Sequence, residues 1–187
     1  NMIYAFSSPN SYIGDFSIDG NRANQSSGNS TGIYVYQSGS STVNHVNVIG
    51  TRAQGIILES SPNSTLSGNI IASTGNGGTL AEALSVFASD NSNIRGNVVS
   101  GSAGVGAYVW GSLHVVFTGN QLINSTGEGV YAQYMERSMF SDNHLYGGGR
   151  GMMFDNSYRN TISGNTFENN GVATTIEALD LFNSMNN

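Results

Sequence analysis

Seven ten-residue windows of this 187-residue chain can be laid over one another: SYIGDFSIDG, STVNHVNVIG, STLSGNIIAS, SNIRGNVVSG, VVFTGNQLIN, SMFSDNHLYG and NTISGNTFEN. Their leading apolar residues, Ile13, Val43, Leu66, Ile94, Phe117, Phe140 and Ile162, are spaced 30, 23, 28, 23, 23 and 22 residues apart. Five positions on from each stand Ile18, Val48, Ile71, Val99, Leu122, Leu145 and Phe167. A fixed period of this size is the mark of stacked repeats, each of which buries its apolar face only against its neighbours. Every unit also carries a second short apolar run, among them GIYVYQS, GIILESS, GAYVWGS and GMMFDNS. With strand alternation, these runs send Ile3/Ala5, Ile33/Val35, Ile56/Leu58, Leu84/Val86, Ala107/Val109, Val130/Ala132, Met152/Phe154 and Leu179/Leu181 inward. All 30 inward positions are apolar in a chain of which only 38% is hydrophobic.

The corners repeat as well. Serine closes the second run at Ser8, Ser38, Ser61, Ser89, Ser112, Ser157 and Ser184, with Met135 the exception. Asparagine recurs at Asn69, Asn97, Asn120, Asn143 and Asn165. Asparagine tolerates left-handed backbone angles, and its amide can bond to the same side chain one repeat away, so a file of asparagines turns a corner and satisfies buried amides together. Short strands, tight corners and no helical segment predict an all-β coil of three strands per turn, a right-handed parallel β-helix of about seven to eight coils with rungs roughly 4.8 Å apart. On these residues the chain resembles the pectin-lyase-like superfamily over its whole length. One domain is expected over residues 1–187, part of a longer helix or lacking its caps. Two corners are long, Gly20–Thr31 and Ser73–Glu82, and both precede a second strand.

Composition narrows the function. Charged residues make up 10% of the chain, the net charge is −6, and the six basic residues are arginines scattered along it. That pattern lacks the clustered positive charge that nucleic acids or anionic membranes require. Without cysteine there are no disulfides or thiolate metal sites. No apolar run is long enough to span a bilayer. His45, His114 and His144 map to different strands or corners, so they predict no shared metal site, and nothing indicates a cofactor, calcium included. Asp142 and His144, flanking Asn143, read as turn residues. The Asn-Ser-Thr triplets at Asn29, Asn63 and Asn124, and Asn-Gln-Ser at Asn24, are expected by accident in so polar a chain.

The outward positions of the second strand form two files. One holds Tyr4, Tyr34, Ile57, Ser85, Tyr108, Tyr131, Met153 and Asp180; the other holds Phe6, Tyr36, Glu59, Phe87, Trp110, Gln133, Asp155 and Phe182. Half of the 18 aromatic residues fall on these positions, including the single tryptophan. In the superfamily that the chain resembles, this strand floors the substrate groove, which implies that the two long corners rise as walls. Tyr34, Tyr36, Glu59, Phe87, Tyr108, Trp110, Tyr131 and Gln133 are therefore the expected substrate-binding residues, their rings lying against the apolar faces of sugars. Asp155 and Asp180, on adjacent rungs, are the candidate catalytic acids of a glycosidase-like site. Glu128, Arg150 and Glu177 align as a charge ladder at the strand starts. The run FSIDGNRANQ (Phe16–Gln25) is similar to the opening of mannuronan C5-epimerase modules. That family continues with an acid–proline–histidine stretch, where this chain has QGIILESSP, so no epimerase site carries over. The face is expected to hold no basic residue, which suits a neutral glycan better than a polyuronate.

The expected function is that of an extracellular or cell-surface β-helix, secreted or virion-associated, engaging a polysaccharide through a carbohydrate-active groove. The alternative is a non-catalytic fibre or adhesin whose aromatic stripe is a subunit interface, with homo-oligomerisation or end-to-end stacking.

Overall fold

The computed structural model describes residues 1–25, 28, 30–75, 81–171, 178–185 and 187. Glu177 and Asn29 lie outside the described residues, as does the middle of the Ser73–Glu82 corner.

Three parallel sheets wind around one apolar interior. The eight-stranded sheet runs from Ile3–Phe6 to Leu179–Phe182, one strand per coil. Two seven-stranded sheets follow the same order, from Tyr12–Gly14 to Thr161–Ser163 and from Ser17–Asp19 to Thr166–Glu168. Each strand pairs only with its equivalents one coil away, so the chain is a right-handed parallel β-helix, as its repeats imply. The pairing matches the sequence repeat residue for residue: Ile13 meets Val43, Ile18 meets Val48, and Tyr108 lies between Ser85 and Tyr131. Most inward positions form the core, with Ile33, Leu58, Val86, Ala107, Phe140 and Phe154 fully buried, but Leu179 and Leu181 of the last strand are 39% and 45% exposed, which corrects their expected burial: among the described residues no strand pairs beyond theirs. Phe117 stacks on Phe140 at 5.6 Å, and Phe140 meets Phe154 edge-on at 4.9 Å. Among the described residues no helix is long and apolar enough to cross a membrane.

The corners explain the register. Where the chain leaves a strand, its backbone N–H groups turn away from the sheet ladder and need other acceptors. Asn69, Asn97, Asn120, Asn143 and Asn165 supply them. The first four each donate the side-chain amide to the next asparagine's Oδ1 at 2.9–3.0 Å, and the same Oδ1 accepts the donor residue's backbone N–H; the Asn165 amide donates to the Phe140 carbonyl at 2.8 Å. Serine does the equivalent at the next corner. Ser8, Ser38, Ser61 and Ser89 each give their N–H to the Oγ of the serine one coil on, at 2.9–3.1 Å. Met135 cannot accept, and its fully buried side chain joins the core instead. A further file of acceptors runs through Ser41, Ser64, Ser92, Ser138, Asn160 and Asn187.

The turn after each strand of the eight-stranded sheet is made by one left-handed residue: Ser7, Gln37, Ser60, Ala88, Gly111, Tyr134, Asn156 and Asn183, with φ between 45° and 59°. Only one of these is glycine. Asp142 has the same geometry, as expected of a turn residue, but His144 does not: it opens the strand His144–Tyr146. The correction has a simple cause, because the turn ends at Asn143, whose amide is committed to the file.

Two stability changes of opposite sign follow. Replacing Asn120 by Ala strands two buried donors and an acceptor, and should cost about 3 kcal/mol in urea unfolding. Asn165→Ala, nearer the end of the file, should cost less. Ala88→Gly relieves a left-handed alanine and should raise stability by about 1 kcal/mol.

Candidate functional site

The outward files of the eight-stranded sheet lie in register as expected, but their burial is uneven. Phe6, Tyr4 and Phe182 are half exposed and Trp110 is 40% exposed. Ile57, Ser85 and Asp155 are buried although their register points outward, which corrects the expectation of one continuous wet strip. The Ser85 hydroxyl finds no hydrogen-bond partner among the described residues.

Rung spacing decides how the rings sit. Rings on equivalent positions of neighbouring rungs are closer than a ring is wide, so they overlap. Tyr108 and Tyr131 are offset-stacked, 5.1 Å apart and 10° from parallel. Tyr4, Phe6, Tyr34 and Tyr36 form a tile with centroids 5.3–5.8 Å apart and tilts of 17–32°. Phe87 meets Tyr108 edge-on at 5.4 Å. Much ring surface is therefore spent on other rings. Trp110 differs: its ring contact is with Tyr134, edge-on at 6.3 Å, and the residue stays 40% exposed. Tyr134, 52% exposed, was not among the expected residues, because it sits in the left-handed turn and outside strand alternation.

The hydroxyls and acids form a network. Tyr108 donates to Gln133 Oε1 at 2.7 Å, and the Gln133 amide donates to Asp155 Oδ2, also at 2.7 Å. Tyr131 donates to the same Oδ2 at 3.1 Å, and the Asn156 amide holds Oδ1 at 2.7 Å. Two rungs from Tyr108, Glu59 accepts from the Tyr34 hydroxyl at 2.5 Å. Burial, then the hydrogen bond and charge of Asp155, push the Tyr131 hydroxyl up to about 12. Burial, then the bond and charge of Glu59, raise Tyr34 well above the ordinary tyrosine value. Tyr108 is raised by burial first and by the charges of Glu82 and Asp155 after it.

Asp180 lies one rung beyond Asp155 in the other file, across from Met153, as the sequence implies. Its carboxylate accepts from Arg150 Nε at 3.5 Å, and Arg150 also pairs with Glu128 at 3.1 Å and reaches Met153 Sδ at 3.4 Å. The expectation that the face lacks a basic residue is thus corrected: Arg150 starts outside the strand but is long enough to reach over its margin. The Glu128–Arg150 part of the charge ladder forms. In the long corners, Arg22–Asn24 is one 3₁₀ turn, Arg22 donates to the Gly75 carbonyl, and Arg52 donates to those of Gln25 and Gly28. A cavity of about 290 Å³ lined by Glu136, Tyr158, Arg159 and Met185 lies at the next corner, off the aromatic face.

With three sheets, the acceptor files and the repeat on the page, the family follows from sequence comparison. The model described as "Right handed beta helix region" matches residues 2–122, and the one described as "Periplasmic copper-binding protein (NosD)" matches residues 78–185. The chain belongs to the right-handed β-helix family, and through its second half to the NosD family. No curated protein matches this β-helix by sequence. Among solved structures it is similar to the enzymatically active domain of tailspike protein 2 of bacteriophage CBA120 (TM-score 0.74, 13% identity, 92% of this chain and 29% of that one). It is also similar to DFA-IIIase of Arthrobacter chlorophenolicus A6, solved with DFA-III (TM-score 0.54, 15% identity, 82% and 46%). A third likeness is to the A-module of the Azotobacter vinelandii mannuronan C-5 epimerase AlgE4 (TM-score 0.53, 12% identity, 96% and 55%). The chain spans between about a quarter and just over half the length of these structures, and at such identities the likeness is one of fold.

The NosD description names copper. Among the described residues no group of three or more His, Cys, Asp or Glu comes together. His114 is a left-handed corner residue, and His144 lies on another sheet, 3.6 Å from Glu168.

The tyrosines offer a direct check. Their hydroxyls bind protons more tightly when folded, so the stability they contribute is intact below pH about 10 and is lost as pH rises through about 12. Tyrosinate absorbance should therefore rise in two steps, and Tyr131→Phe should remove one ring from the later step. Asp155→Asn should move Tyr131 back only part of the way, since burial is the larger cause. A single step near pH 10 would contradict the network.

Proposed function

We propose that the outward face of the eight-stranded sheet engages an extended, uncharged polysaccharide, with Trp110 as its principal stacking ring. One observation carries the reading. The single tryptophan of the chain stands 40% exposed on a rigid strand, beside the Tyr108–Gln133–Asp155–Tyr131 network. An indole face takes the apolar side of a pyranose, and fixed amides and carboxylates take hydroxyls. The binding residues are Tyr34, Tyr36, Glu59, Phe87, Tyr108, Trp110, Tyr131 and Gln133, to which Tyr134 is added.

Charge selects the glycan class. Glu59, Glu128, Asp155 and Asp180 face outward here, and Arg150 is held between two of them. A polyuronate would meet repulsion with no spare cation to offset it. The placement of the protein outside the cytoplasm, secreted or virion-associated, belongs to the same reading. It is supported by the periplasmic description of the matching family and by the phage origin of one structural neighbour.

Any hydrolytic step falls to Asp155 and Asp180. A glycosidase needs one acid of its pair to donate a proton, whereas in this arrangement Asp155 accepts from three side chains and Asp180 is ion-paired with Arg150. That favours binding without turnover as the function of the face.

A glycan panel read by Trp110 fluorescence tests the proposal. Neutral polysaccharides should quench or shift the emission saturably, alginate and polygalacturonate should not, and Trp110→Ala should weaken retention on the bound polymer about tenfold or more. If sugar leaves the emission unchanged while protein concentration alone alters it, the face is a subunit contact instead. Product release that disappears in Asp155→Asn and Asp180→Asn would establish hydrolysis.

A further inference from the structure

Resting on that reading, we infer that the face holds two separate stacking subsites in one file, so that it recognises an uncharged glycan by the length of its extended chain. The first subsite is the tile of Phe6 and Tyr36, backed by Tyr4 and Tyr34, on the first two rungs. The second is Trp110 with Tyr134. Phe6, Tyr36, Glu59, Phe87 and Trp110 occupy successive rungs of one file, as the strand register requires. Tyr36 and Trp110 are thus three rungs apart, about 14 Å.

The stretch between them is built differently. In the neighbouring file Ile57 and Ser85 are buried, so they offer no ring to a sugar. In the shared file Glu59 is anchored by Tyr34, and Phe87 turns its ring edge-on to Tyr108. A pyranose in an extended chain covers roughly one rung, so a disaccharide reaches one subsite and a chain of at least about four units reaches both. Once one end is stacked, the other end binds as an intramolecular partner at high effective concentration. Affinity should therefore climb with length and then level off, a behaviour that a single subsite does not produce.

The test uses size-graded neutral oligosaccharides of gluco-, manno- and galacto-series, from disaccharide to octasaccharide, with Trp110 emission as readout. The expected result is a gain of about tenfold or more between disaccharide and pentasaccharide in the series that binds, and little beyond. Read by isothermal titration calorimetry, because Trp110→Ala removes the fluorophore, Tyr36→Ala should abolish that gain so that pentasaccharide binds no more tightly than disaccharide, whereas Trp110→Ala should weaken the binding of both. Phe6→Ala, on the first rung, carries the same prediction if Tyr36→Ala lowers the thermal midpoint. Saturable quenching with length-independent affinity overturns the two-subsite inference and leaves the polysaccharide reading standing. Absence of quenching by every sugar overturns both.

Discussion

A backbone N–H that leaves a β-ladder at a buried corner must find an acceptor, and along the asparagine and serine files of this molecule the acceptor belongs to the next coil. The Oδ1 atoms of Asn97, Asn120 and Asn143 each take two hydrogen bonds from the coil before them, and the serine hydroxyls take one. A shift of one residue along any coil would break these bonds and also turn its apolar side chains outward. Strand pairing alone defines a direction of growth; the corners define the register. All positional order on the surface follows from that.

Register has a cost for the surface it creates. Equivalent positions recur at the rung spacing, close to the thickness of two stacked aromatic groups with a slight offset. Like residues placed in file therefore find each other before they find a ligand. Tyr108 and Tyr131 are offset-stacked and give their hydroxyls to Gln133 and Asp155, which makes them part of the scaffold as much as of the site. Trp110 escapes because Gln133 follows it in the file, so no ring covers it from that side. Recognition on a β-helix thus depends on where a file is interrupted.

This is also why the sequence was legible to different depths. Most of the core was readable, since inward positions tolerate only apolar side chains and the pattern repeats eight times along one sheet, but Leu179 and Leu181 are exposed and the corner residues Val46, Val115 and Met135, outside strand alternation, join the core. The asparagine and main serine files were readable because their residue types are distinctive at a constant offset. The file through Ser41, Ser64 and Ser92 was not, because serine is common in the chain and Asn160 and Asn187 replace it further on. Tyr134 was hidden by its turn, where alternation has no meaning. Arg150 was assigned to a strand start, but its reach to Asp180 depends on side-chain length and not on register. The burial of Ile57, Ser85 and Asp155 depends on what packs over the sheet, which strand periodicity does not describe.

The same division explains how one chain can match a NosD model and resemble a tailspike, a DFA-IIIase and an epimerase at once. Those likenesses rest on inward residues and corner acceptors, which any coil of this geometry needs whatever its chemistry. Outward residues are free of that demand, and in this chain they take a particular form. Acids are locked by tyrosine, glutamine, asparagine or arginine donors, and no described cluster is suited to a metal. A carboxylate with its donors already in place holds its neighbours still, which lowers the ordering cost of binding. The physical preference of the face is therefore for holding a sugar chain in a fixed track, and any chemistry on that chain would have to begin by releasing Asp155 from the three side chains that hold it.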